Sequence, residues 1–385
     1  MEQVRKRDPR YQIGSGKTAE LAKLVKLTKA EKIIFDNELK PLQAYNLAKE
    51  TGVEVIDRFQ LILEIFARRA STTEAKLQIE LAKLRYELPR AKERVKLAKM
   101  GEQPGFMGLG AYQVDLYYET VKRQIHRLRA KLKHVRGKRR LHRARRLELG
   151  YSTISLGGYT NAGKSSLFNI LTEEAVPVGI GLFTTLSTVT RAISLSKKKV
   201  LLTDTVGFID RLPITLIEAF HSTLEETIFS DLILLVVDLS ESQEEIEQKL
   251  TVCLDTIQTI GATSVPLITV LNKIDLLEED DLNQKISRLK GLAPNPVPVS
   301  ALKGTNILLL KKEVATYLPN YVRASFSVPI KSEITSFLPW LSSRAEVQSL
   351  KYEADGVHAV FESIPWFAEK VREEITKLGG MFQKI

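Results

Sequence analysis

The segment Gly158-Tyr159-Thr160-Asn161-Ala162-Gly163-Lys164-Ser165 constrains this chain more than any other feature. Two glycines flank four residues, and a lysine and a hydroxyl follow directly. The segment stands after the apolar run Ser152 to Leu156 and before a helical pattern. In that setting, glycine spacing lets the backbone wrap its N–H groups around phosphate. Gly158, Asn161, Ala162, Gly163, Lys164, Ser165 and Ser166 are therefore the candidate phosphate-side residues. Lys164 supplies a point charge and Ser165 a hydroxyl ligand for Mg²⁺. A second string, Gly14-Ser15-Gly16-Lys17-Thr18, has Tyr11 where the first glycine belongs and no apolar strand ahead of it, so it reads as a flexible turn.

Around the loop, apolar stretches at Ser152 to Leu156, Val200 to Thr203, Leu232 to Val237, Pro266 to Leu271 and Val297 to Val299 alternate with helical ones. This is the texture of an α/β fold with a mainly parallel, doubly wound sheet. Asp204-Thr205-Val206-Gly207 closes the second stretch. Asp204 can hold Mg²⁺ through water there, and Gly207 can present its N–H to a γ-phosphate. Asn272-Lys273-Ile274-Asp275 closes the fourth. A carboxylate at Asp275 accepts from both the ring N–H and the exocyclic amine of guanine, a donor pair that adenine lacks. Ser300-Ala301, after the last stretch, offers a backbone N–H for the guanine carbonyl. The four motifs in this order predict binding of GTP or GDP with Mg²⁺.

The 385 residues exceed what one core usually holds, so several domains are expected. The 44% hydrophobic and 27% charged content is that of a globular chain. Single Cys253 excludes an intramolecular disulfide and a cysteine-rich metal cluster. The longest apolar stretch is far short of a membrane span, and the opening MEQVRKRDPR has no apolar signal core. A cytoplasmic protein is expected, with no membrane span. Before the sheet, Ile33 to Asp36, Gln43 to Glu50, Val53 to Ile56 and Leu61 to Phe66 read as a small α/β unit. Leu77, Leu81, Leu84, Leu88, Ala91, Val95 and Ala98 then repeat at four-three spacing, as do Val121, Ile125, Leu128, Leu132 and Val135. Glycine and proline between Met100 and Tyr112 break the two series into an antiparallel helical hairpin, with a kink expected at Pro89. Four domains follow: 1–72, 73–149, 150–322 and a small α+β unit at 323–385.

Charge is concentrated in the second arm. Between Thr120 and Leu147 lie thirteen Lys and Arg with no Asp or Glu, and subtracting 13 from the net +11 leaves −2 elsewhere. Such a field calls for a polyanion, most naturally nucleic acid. Lys122, Arg123, Arg127, Arg139, Arg140 and Arg143 are the candidate RNA contacts. His126, His134 and His142 recur every eight residues without an acidic or cysteine partner, which favours RNA-facing side chains over a metal site. Phe106, Tyr112, Tyr117 and Tyr118 are placed either to stack on unpaired bases or to pack the arms together.

The chain resembles the HflX-type GTPases, a ribosome-associated family related to translation factors. The resemblance rests on Asp204 to Ile209, on Asp57 to Ala67, on Lys76 to Ala82 with Leu88-Pro89-Arg90, on Leu182 to Leu186, and on Leu212-Pro213 with Ala219-Phe220 and Thr223 to Glu226. It implies a GTPase that binds the large ribosomal subunit in its GTP form, is stimulated by it, and acts in ribosome splitting or rescue. Of Thr184, Thr185, Thr188 and Thr190, each of which could be the switch threonine that meets the metal, it selects Thr185, although Ser187 replaces the usual acidic residue. It leaves the hairpin tip, Gly105 to Tyr112, without a counterpart. Lys164, Thr185 and Gly207 become the candidate catalytic set. Phe208 stands where many GTPases carry a water-orienting glutamine, so intrinsic hydrolysis should be slow. Asn161 resembles the loop asparagine of GTPases that use K⁺, which makes K⁺ a further candidate cofactor. A monomer is expected. The competing reading is an RNA-binding assembly or remodelling module in which nucleotide sets conformation and hydrolysis is incidental.

Overall fold

The computed structural model describes residues 7–100, 109–148, 151–173, 189–195, 198–205, 207–210, 224–318, 321–330, 334–353 and 356–385. The described residues form two compact bodies, one up to Val135 and one from Arg136 onward.

In the first body, α1 (Ser15–Thr28) leads into β1 (Lys32–Phe35), α2 (Pro41–Thr51), β2 (Glu54–Asp57) and α3 (Arg58–Arg69). β1 and β2 pair in parallel, with Lys32 opposite Glu54. The Gly14-Ser15-Gly16-Lys17-Thr18 string is not the flexible turn expected from its glycines. Gly14 caps α1, and the buried Thr18 returns its N–H (2.9 Å) and its hydroxyl (3.2 Å) to the Gly14 carbonyl. Packing overrides the local glycine preference, because Val25 and Leu21 of α1 join a core with Tyr11, Ile33, Leu47 and Val55.

α4 (Thr73–Met100) and α5 (Leu109–Glu148) are the two arms of the hairpin. Leu81, Val121, Ile125, Leu128 and Leu132 form their shared core, with Leu77, Leu84 and Leu88 packed against it. Pro89 lies inside α4 and does not end it. α4 also buries a second face, Ala75, Gln78, Ile79 and Ala82, and packs on α2 and α3. Near its middle, the Tyr86 ring stacks on Phe59 at 4.3 Å, and the Arg90 guanidinium covers Tyr86 at 3.5 Å. The Tyr86 hydroxyl donates to the Asp57 carboxylate. Asp57 also caps α3 by accepting from Gln60 N (3.0 Å), and it accepts from Leu39 N (3.3 Å).

In the second body, β3 (Ser152–Gly158), α6 (Lys164–Thr172), β4 (Val189–Leu195), β5 (Lys198–Asp204), β6 (Leu232–Asp238), α7 (Gln243–Thr259), β7 (Leu267–Asn272), α8 (Glu279–Arg288), β8 (Pro296–Pro298) and α9 (Ile307–Tyr317) follow in order. The six strands lie in the order β4-β5-β3-β6-β7-β8. Every pairing is parallel except β4 with β5. Each anticipated strand is present, and β4 is an addition. All seven residues of central β6 are buried, as a strand covered on both faces requires.

β9 (Val322–Val328), α10 (Ile334–Ser342), β10 (Glu346–Glu353), β11 (Gly356–Ser363), α11 (Pro365–Lys377) and β12 (Met381–Lys384) complete the chain. Their antiparallel sheet has the order β10-β11-β9-β12, a split βαβ arrangement. Phe326, Phe337, Phe361 and Phe367 lead its core, which is the small α+β unit expected.

Candidate functional site

β3 carries the phosphate-type loop into the sheet's carboxyl edge. Gly158 pairs with Val236 at φ 138°, and a methyl group there would lie 2.3 Å from the Val236 carbonyl oxygen. Gly163 turns the chain into α6 at φ 94°, where a methyl would lie 2.2 Å from Asn272 Nδ2. Both positions exclude side chains, and the first N–H groups of α6 open onto the loop. Lys164 crosses that mouth. Its ammonium donates to the carbonyls of Gly158 (3.1 Å) and Tyr159 (2.8 Å). Burial pulls its pKa below the ordinary lysine value, while Asp204 pushes the other way.

The adjoining Ser165 hydroxyl donates to Asp204 Oδ2 at 3.0 Å, and both residues are buried. Asp204 is the last residue of β5, opposite Leu156 of β3. A hydroxyl and a carboxylate side by side, beside a phosphate loop, are hard oxygen donors of the kind Mg²⁺ takes together with phosphate oxygens and water. The donor set therefore fits that ion. Among the described residues, no cluster of three or more His, Cys, Asp or Glu offers a competing metal site.

At the other end, Asn272 closes β7 and ties three segments together. Its Nδ2 donates to the Ala162 carbonyl (3.0 Å), and its Oδ1 accepts from Ala301 N (3.0 Å). Both functions of the amide are thus engaged within the protein. Asp275 Oδ1 accepts from the Ser300 hydroxyl (2.6 Å), whose oxygen accepts from Lys303 N (3.0 Å). Lys273 holds a left-handed φ of 67° and pairs with Asp238. Asn161 has the same φ and is exposed.

Direct contacts thus join the Gly158-to-Ser165 loop, Asp204, Asn272 and Ala301, and a separate contact joins Asp275 to Ser300. Gly207 stands against Lys164: a methyl on it would lie 2.9 Å from Nζ. Thr185 lies outside the described residues. On α5, Lys122, Arg123, Arg127, His126 and His134 are exposed. The side chains of Arg139, Arg140, Arg143 and His142 lie outside the described ones, as does Phe106. Phe208 is 3% exposed and its ring packs beside Gly157, so it presents nothing polar to water at the loop. Two residues escaped the sequence reading. Asp238, at the end of β6, pairs with Lys273, and Tyr159 gave no sign beyond lying in the loop.

Residues 1–67 match the family described as GTP-binding GTPase N-terminal, and 69–146 match its middle region. Residues 153–273 match the family described as 50S ribosome-binding GTPase. The GTPase HflX of Thermococcus kodakarensis is 42% identical over 361 residues, covering 91% of this chain and 82% of its own. That of Methanocaldococcus jannaschii is 49% identical over 316 residues, covering 82% and 78%. The chain belongs to the HflX GTPase family. As an HflX GTPase it binds guanine nucleotide and hydrolyses GTP. A solved GTP-binding protein of Sulfolobus solfataricus in complex with GDP is 30% identical to this HflX member, covers 81% of it and 88% of its own chain, and has a TM-score of 0.45. Among the described residues, no helix is long and apolar enough to cross a membrane.

Proposed function

We propose that this HflX GTPase is a Mg²⁺-dependent switch whose GTP form docks the basic hairpin on the RNA of the large ribosomal subunit, and whose hydrolysis releases it during splitting, rescue or recycling of ribosomes. The observation that carries the reading is the contact set at the strand ends, with Lys164 across the loop mouth, Ser165 on Asp204 and Asn272 on the loop. The 50S ribosome-binding description of the family matched at 153–273 and the exposed Lys122, Arg123 and Arg127 support the choice of partner.

Lys164 and the loop N–H groups hold the phosphates, with Ser166 next in line. Ser165 and Thr185 would hold Mg²⁺ directly and Asp204 through water. Bound there, the ion offsets charge building on phosphate oxygens. The Gly207 N–H senses the γ-phosphate. Asp275 accepts from the guanine edge, Ser300 orients that carboxylate, and Asn272 and Lys273 fix the loops around it. With Phe208 turned inward, no side chain at its position orients the attacking water, so the ribosome must order the site or supply the group. Asn161, exposed at the loop, is the residue through which K⁺ would act, and hydrolysis compared in K⁺ and Na⁺ buffers tests that step. In this reading the domains are 1–72, 73–149, 150–322 and 323–385, and the protein works as a cytoplasmic monomer.

Sedimentation with isolated large subunits tests the whole. Pelleting is expected with a non-hydrolysable GTP analogue and should fall several-fold with GDP. Equal pelleting in the two nucleotides would remove the switch. A Lys164→Ala protein that performs the ribosomal task in full would favour the assembly-module reading.

A further inference from the structure

The stretch after Gly207 is bound to the phosphate loop by three hydrogen bonds. Phe208 N donates to the Gly158 carbonyl and Thr160 N donates to the Phe208 carbonyl, both at 2.9 Å, which makes a short parallel bridge between Tyr159 and Phe208. Two residues on, Asp210 N donates to the Tyr159 phenol oxygen at 3.1 Å. The ring is braced from α7, where the Lys249 ammonium lies 5.2 Å from its centroid and pairs with Glu241 at 2.5 Å. The phenol is thus a fixed point carried by the loop itself.

We propose that Tyr159 is a positioning residue that latches the 207–210 stretch to the phosphate loop and so weighs against the triphosphate form. The inference rests on the guanine-nucleotide reading of the site. The lysine of such a loop reaches the β- and γ-phosphates. Here Gly207 stands against the Lys164 ammonium, and a methyl on it would also lie 2.9 Å from Thr160 Cγ2. The Thr160 N–H, one of the loop's donors, is taken by Phe208. A diphosphate ends before this space. A third phosphate beside the ammonium needs the space, so the bridge must yield, and the Asp210 N–H leaves the phenol with it. The tether is lost only in the triphosphate complex, so its free energy separates the two nucleotides.

Tyr159→Phe removes the acceptor and keeps the ring for Lys249. Displacement of fluorescent nucleotide gives the dissociation constants of GDP and of a non-hydrolysable GTP analogue for the full-length protein. One neutral hydrogen bond is worth about a two- to tenfold change in affinity. The variant should therefore bind the analogue about two- to tenfold more tightly and GDP within about twofold of the unaltered protein. A purely structural role would move both constants together. That outcome, an unchanged ratio, or weaker analogue binding would each overturn the latch. Lys249→Met keeps the phenol and loosens its brace, and a smaller shift in the same direction is expected from it. It also serves should Tyr159→Phe not fold, in which case an unchanged ratio in Lys249→Met overturns the latch. If the unaltered protein binds neither nucleotide, the proposed function fails. If it binds both and neither substitution moves the ratio, only the latch fails.

Discussion

Lys164 is a buried cation whose neighbours are mainly carbonyl oxygens, and its pKa is depressed because burial outweighs the attraction of Asp204. For a lysine lowered on folding, the unfolded chain binds more protons between the two pKa values. In that window the stability of the nucleotide-free protein rises with pH. Phosphate acts in the opposite direction on this group, since an anion against the ammonium favours its charged form. GDP binding at a pH between the pKa values of this group in the free and the bound protein should then take up a proton. Calorimetry in buffers of different ionisation enthalpy should show that uptake in the unaltered protein and not in Lys164→Met. Asn272 acts by another route, because truncating it leaves the Ala162 carbonyl and the Ala301 N–H without their partner. Asn272→Ala should cost about 2 kcal/mol or more, read by denaturant unfolding of the nucleotide-free protein. The motif spacing identified this asparagine, but not that its amide is committed to tying loops, because hydrogen-bond partners 110 and 29 positions away leave no trace in local pattern.

At the scale of elements, α4 shows what periodicity hides. The four-three spacing found the seam with α5, since one stripe of leucines repeats. The second buried face uses Gln78 and Ala82, and its anchor is polar: Tyr86 and Arg90 meeting Asp57. No hydropathy pattern signals that set, yet it joins parts of the chain whose resemblance to the family was otherwise unexplained, around Asp57 and around Leu88-Pro89-Arg90. Asp57 is fully buried, and losing the phenol removes one of its donors while the carboxylate stays in place. Burial, the hydrogen bond to Asp57 and the Asp57 charge push the phenol's pKa up, which favours the protonated donor. Tyr86→Phe should destabilise the protein by about 1–3 kcal/mol and, by loosening α4 from α3, speed hydrogen exchange across both helices. Unchanged exchange in Tyr86→Phe would show that apolar packing alone seats the hairpin. β4 was illegible for a related reason. Its Val-Thr-Arg-Ala-Ile-Ser-Leu sequence, at the edge of the sheet, mixes polar and apolar residues without the apolar run that marked its neighbours.

For the molecule as a whole, the chain divides its labour by charge: subtracting the 13 basic residues between Thr120 and Leu147 from +11 leaves −2 for everything else. A nearly neutral remainder gives little attraction to RNA, so docking should depend on salt as the second arm alone dictates. Composition made that asymmetry visible at once. It could not show the phase of the charges, and the structure adds that Lys122, Arg123 and Arg127 are exposed between the buried Val121, Ile125 and Leu128. Each phosphate contact contributes roughly 0.7–0.9 to the slope of log K against log salt. Replacing these three residues together by glutamine should lower the slope by about 2–3 while leaving GTP binding intact, because none of them is at the nucleotide site. The same measurement on Arg139, Arg140 and Arg143 shows how far along the arm contact with RNA extends. A slope that moves with the first set alone confines docking to the part of α5 that packs on α4, one that moves with both makes the whole arm the footprint, and one that moves with neither removes the arm as the RNA-binding element.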